Sequence, residues 1–150
     1  QWGSPTRGMI QANKGNSPST RTNTVEYVTI STTGNAVDFG DMINAPNNPL
    51  TAGNSIRGMV AGGQSPGTVN TIQFFTITSL GNAQDFGDLS FGTTEGSGFS
   101  SPIRAVWTRV SNTQLDQTNI ATTGNGTDWG HFLASHNHNC SLTNCHGGLG

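Results

Sequence analysis

The stretch "GNAVDFGD" at Gly34–Asp41 returns as "GNAQDFGD" at Gly81–Asp88 and as "GNGTDWGH" at Gly124–His131. An internal period restricts the fold to a few equivalent units, because a small repeat buries its apolar faces only by packing on its neighbours. An Arg-led segment recurs with it: "TRGMI" at Thr6, "IRGMV" at Ile56 and "IRAVW" at Ile103. Between them lies a third common element, "NTVEYVTIS" from Asn23, "NTIQFFTIT" from Asn70 and the weaker "LDQTNIAT" from Leu115. The landmarks recur at roughly 45 residues, a period of repeat families. They divide a single repeat domain, 1–150, into units of about 6–55, 56–102 and 103–146.

Each element reads as a strand. "VEYVTI" and "IQFFTI" are β-branched and aromatic, flanked by Asn, Gly and Ser. Pro and Gly punctuate the chain too densely for helix, and no helical apolar period is present. The segments after each octapeptide, "INAPNNPLTAGNS", "SFGTTEGSGFSS" and "FLASHNHNCSLTN", each have room for one more short strand. The expected fold is all-β, with three repeats of about four short strands.

The octapeptide reads as a turn feeding a strand. Gly34, Gly81 and Gly124, each followed by Asn, supply the positive φ of a tight reversal. Asp38, Asp85 and Asp128 can close Asx turns on nearby amides. Phe39, Phe86 and Trp129 read as buried anchors, and the glycine after each leaves room for close backbone approach. On this reading each copy is a structural hinge that caps one sheet.

These motifs resemble kelch-like repeats in predicted tail and virion proteins of marine and freshwater bacteriophages, including cyanophage-like ones. "TRGMI", "NTVEYVTISTTGNAVDFGDM", "IRGMVAGG", "NTIQFFTITSLGNAQDFGDL" and the terminal "CHGGL" carry the resemblance and touch all three units. It implies propeller-blade-like units. The chain departs from the family pattern in keeping a di-glycine only at Gly62-Gly63, in losing the "TVAR" after "DL", and in its degenerate third unit. Propellers close with about four to eight blades. Three units would therefore be completed by other copies or by the rest of a longer protein. The alternative is a closed β-trefoil.

The residues offer little catalytic chemistry. The segment holding His131, His136, His138, Cys140, Cys145 and His146 could bind Zn²⁺ through nitrogen and thiolate ligands. Cys140 and Cys145 could equally form a small hairpin disulfide or stay free. No metal site is assigned. "CHGG" stands where earlier units carry Arg-Gly, so Cys145 and His146 are expected on an ordered strand edge. Asp38/Asp41 and Asp85/Asp88 are carboxylate pairs, but His131 replaces the second Asp in the third unit, and turn chemistry explains them better. No nucleophile elbow, GxGxxG or Walker A motif appears, so no catalytic residue and no cofactor is assigned.

Charged residues are only 9%, against roughly 25% in average domains. A formal charge of −2 without a Lys/Arg cluster gives no field for nucleic acid. No apolar run approaches the ~20 residues that cross a bilayer as a helix, so membrane insertion is not expected. Opening on Gln1, the chain is expected to be a processed product or a trimmed fragment.

The composition and the repeats suit a structural or adhesive component of an extracellular particle, a virion or tail-fibre protein and not an enzyme. Its expected partners are copies of itself and other virion or fibre subunits, with a cell-surface glycan as a further candidate. The alternative is a lectin-like module with one shallow site per unit.

Overall fold

The computed structural model describes residues 2–11 and 21–136. They form twelve strands: β1 (Trp2–Gly3), β2 (Arg7–Gln11), β3 (Thr24–Thr29), β4 (Val37–Asp41), β5 (Leu50–Gly53), β6 (Arg57–Ala61), β7 (Thr71–Thr76), β8 (Gln84–Asp88), β9 (Gly98–Ser100), β10 (Arg104–Thr108), β11 (Gln114–Asn119) and β12 (Thr127–His131). Consecutive strands pair antiparallel into three four-stranded meanders, β1-β2-β3-β4, β5-β6-β7-β8 and β9-β10-β11-β12. The chain is all-β, with four strands per unit. Among the described residues no helix is long and apolar enough to cross a membrane.

The sheets begin ahead of the arginine landmarks. β5 pairs with β6 from Leu50↔Ala61 to Gly53↔Gly58, so Leu50–Gly53 belongs to the second sheet and not to a unit of residues 6–55. β9 likewise opens the third sheet ahead of Ile103, through Ala105↔Ser100. The reason is a local turn. Asn54 Oδ1 accepts from the amides of Ile56 and Arg57, both at 2.9 Å, and ties β5 to β6. Ser4 and Ser101 hydroxyls accept from the Arg7 and Arg104 amides at the corresponding hairpins, at 3.1 and 3.2 Å.

The middle sheet is apolar on both faces, which explains the near-continuous run of buried residues in β6 and β7. Val60, Phe75 and Ile77 pack with Trp2, Met9, Val25, Phe39 and Met42 of the first sheet and its flank. Met59, Ala61, Ile72 and Phe74 pack with Ala105, Trp107 and Ile120 of the third. The core is therefore two slabs, each between adjacent sheets, and no single sheet owns it. Burying each large side chain stabilises by about 1.5–3 kcal/mol, so most of the stabilisation resides between units.

Trp107 is fully buried, and its indole Nε1 donates to Thr118 Oγ1 at 3.1 Å. Its ring lies over Gly98. Trp107→Ala is expected to lower the unfolding free energy by about 3–5 kcal/mol in urea denaturation, and Trp107→Phe by much less. Equal losses would show that ring volume does not set stability there.

Candidate functional site

The site most clearly built from the repeat lies at the junctions between sheets. In β4, Gly40 pairs with Val25 and Asp38 with Glu26, so Phe39 is an extra residue, a β-bulge. Phe86 is the extra residue in β8, between Gly87↔Ile72 and Asp85↔Gln73. Trp129 is its counterpart in β12. A bulge takes the extra residue out of the ladder. The glycine after each, Gly40, Gly87 and Gly130, has φ of +147°, +142° and +137°, a region that favours glycine.

The freed carbonyls bond to the next sheet's copy of the same octapeptide. The Gly81 amide donates to the Phe39 carbonyl at 3.0 Å, and the Ala83 amide to the Asp41 carbonyl at 2.8 Å. In return the Asp41 amide donates to Asn82 Oδ1 at 3.0 Å. The second junction repeats all three bonds: Gly124 to Phe86 at 2.8 Å, Gly126 to Asp88 at 2.7 Å, and the Asp88 amide to Asn125 Oδ1 at 3.0 Å. A Cβ on Gly40 would collide with the Gly81 carbonyl, and one on Gly87 would sit 2.6 Å from that of Gly124.

Two further bonds recur at the same junctions. Arg7 Nη1 donates to the Ile77 carbonyl at 2.6 Å, and Arg57 Nη1 to the Ile120 carbonyl at 2.7 Å. Each guanidinium rests on an aromatic ring of its own sheet, Tyr27 at 4.9 Å and Phe74 at 4.6 Å. In the opposite direction, Gln73 Oε1 accepts from the Ile43 amide at 2.8 Å, and buried Asp116 Oδ2 accepts from the Ser90 amide at 2.6 Å. Ser90 Oγ also donates to Asp116 Oδ1 at 2.8 Å.

The octapeptide is thus a two-sided clasp: its Gly-Asn half serves the preceding sheet, and its Asp-aromatic-Gly half serves the following one. This corrects the reading of a hinge capping one sheet. Asp38 and Asp85 are exposed, and their carboxylates make no hydrogen bond among the described residues. Asp128 does form the Asx bond, accepting from the Gly130 amide at 3.1 Å. Asp41 and Asp88 contribute main-chain groups to the clasp. Phe39 and Phe86 are 2% and 3% exposed, but Trp129 is 47% exposed. Trp129 is therefore not the buried anchor its position suggested, because no following sheet covers it among the described residues. The arginines and asparagines that bond across the junctions left only one signal in the sequence, their recurrence with the period.

His131 Nδ1 lies 3.2 Å from Thr113 Oγ1, and exposed His136 meets Phe132 edge-on. Cys140, Cys145, His138 and His146 lie outside the described residues, as does any bridge or tail edge they form. Among the described residues no three His, Cys, Asp or Glu side chains gather as a metal-binding group.

Two surface pockets sit at equivalent places on the second and third sheets. One of about 320 Å³ is lined by Gln117, Asn119, Thr122, Gly124 and Asn125 among others. The other, about 190 Å³, is lined by the corresponding Phe74, Thr76, Ser79, Gly81 and Asn82. Both are mostly amide, hydroxyl and main-chain surface. No protein-family model matches the chain, and no curated protein is similar enough to count as a relative.

Gly40 and Gly130 share the bulge conformation, yet an added Cβ meets nothing within 4 Å at Gly130. In dilute, monomeric protein Gly40→Ala is therefore expected to lose about 1–3 kcal/mol more than Gly130→Ala in urea unfolding. Equal losses would mean that only the φ strain matters and that the clasp does not hold the sheets.

Proposed function

We propose that the chain is a structural and adhesive component of an extracellular particle, of the virion or tail-fibre kind, which works by assembling with copies of itself. One observation carries the self-assembly reading. Residues that are buried at both internal junctions have exposed counterparts at the two ends of the array. Ile77 and Ile120 are 1% and 0% exposed, and their counterpart Ile30 is 60% exposed. Trp129 stands in the same relation to Phe39 and Phe86. The extracellular-particle part rests on the repeat resemblance and on the low charge.

In this reading the three meanders are propeller-like blades. β5 touches both β1 and β9, as neighbouring inner strands around an axis would, and Ser100 Oγ ties β9 to β5 through the Gly53 carbonyl at 2.6 Å. Separate four-stranded sheets, each with its own edges, favour blades over a trefoil barrel shared by all units. The equivalent polar pockets support a second reading, a glycan-binding module with one shallow site per unit.

Sedimentation velocity at micromolar concentration is expected to show a discrete species heavier than one chain, and a glycan array is expected to stay blank. A stable monomer that binds sugar would overturn the structural reading in favour of the second.

A further inference from the structure

We infer that copies of this chain join head to tail, the third sheet of one copy docking on the first sheet of the next through a third instance of the internal junction. The inference rests on the self-assembly reading and deepens it, because it names the surface and its polarity.

Among the described residues, the bonds that recur at both internal junctions each have an unused half at each end of the array. At the trailing end these are the Arg104 guanidinium, the bulge carbonyl of Trp129, the amide and carbonyl of His131, and the amide of Leu133. None of these groups has a hydrogen-bond partner among the described residues, and Arg104, Trp129, His131 and Leu133 are all exposed. At the leading end they are the carbonyl of Ile30, the amides of Gly34 and Ala36, Asn35 Oδ1 and the Glu26 carboxylate. These leading-end groups are equally unpartnered there, and Ile30, Gly34, Asn35 and Ala36 are exposed.

The two sets match donor for acceptor in the pattern already seen twice. Gly34 of one copy would donate to Trp129 of the other, and Ala36 to the His131 carbonyl. The His131 amide would donate to Asn35 Oδ1, Arg104 to the Ile30 carbonyl, and the Leu133 amide to Glu26. The clasp bonds are mostly main-chain, so the exchanges of Phe for Trp129 and Asp for His131 leave them intact. Gly130 has open space above its Cα, where Gly40 and Gly87 have the next sheet's glycine carbonyl.

The apolar surfaces match as well. Trp2 lies against Gly58 of the next sheet so closely that a Cβ there would overlap its indole, and it stacks on Phe75 at 6.0 Å. Gly8 is the first-sheet counterpart of Gly58, and beside it a pocket of about 380 Å³ stands open, lined by Gly8, Ile10 and Ile30 among others. Half-buried Phe99 holds the place of Trp2 in the third sheet. A second copy would bring Phe99 to that pocket.

Such a contact is heterologous: different surfaces meet, so it closes a ring or grows a chain. Two copies supply six sheets, within the four to eight of closed propellers. It also predicts complementation. Ile30→Glu spoils only the leading end, and Arg104→Glu only the trailing end. Both positions are exposed and outside the internal junctions, so unchanged circular dichroism is expected.

The test is native mass spectrometry of each variant alone and of equimolar mixtures. Wild type is expected as a dimer or longer chain, each variant alone as a monomer, and Ile30→Glu mixed with Arg104→Glu as a one-to-one heterodimer, since each partner keeps one good end. If wild type assembles and the variants do too, or if the complementary mixture fails to pair, the head-to-tail surface is wrong while self-assembly stands. A monomeric wild type would overturn both.

Discussion

The architecture depends on a carbonyl set free by a β-bulge. In an unbroken ladder the Phe39 and Phe86 carbonyls would bond within their own sheets, and each fourth strand would offer its neighbour only side chains. One extra residue turns each carbonyl outward to the Gly81 or Gly124 amide. The following glycine lets the two backbones meet. The aromatic and the bulge are coupled: the residue that leaves the ladder also puts its ring into the core between sheets, where Phe39 meets Phe75 edge-on at 5.7 Å.

This coupling explains why the sequence repeats as it does. Each copy must offer both halves of one contact, so a change in either half is felt at a junction with the other. Where a junction exists, the pattern holds closely, as in Phe39, Gly40 and Asp41 against Gly81, Asn82 and Ala83. At the trailing end Phe gives way to Trp129 and Asp to His131, substitutions that keep the main-chain groups and change only side chains. A middle sheet with two buried faces has few positions for charge, and β6 and β7 carry only Arg57.

Much of the fold was legible in the sequence because it is local. β-branched and aromatic runs marked β3 and β7, and the dense Gly and Pro excluded helix. Leu50–Gly53 and Gly98–Ser100 were legible as extra strands but not as first strands of the next sheets, since that depends on turns made by Asn54 and Ser101. The candidate site was legible as a motif and not as a contact. Its bonds join residues some forty positions apart in equivalent copies, and periodicity alone does not say whether a repeated stretch binds itself, its neighbour or a ligand. Asp128 makes the turn bond that its residue type suggests, but Asn82 and Asn125 accept across the junctions, which turn chemistry does not announce. Arg7 and Arg57 gave no chemical signal, because their acceptors are main-chain carbonyls of another unit.

Amide hydrogen exchange, resolved by residue in the monomeric protein, tests the clasp most directly. Gly81, Ala83, Gly124 and Gly126 donate across junctions, whereas the amides of Gly34 and Ala36, at the same repeat positions, have no partner among the described residues. The account predicts slow exchange at the first four and exchange near the unprotected rate at Gly34 and Ala36. Uniformly fast exchange at all six would contradict it, because the sheets would then be held by apolar packing alone.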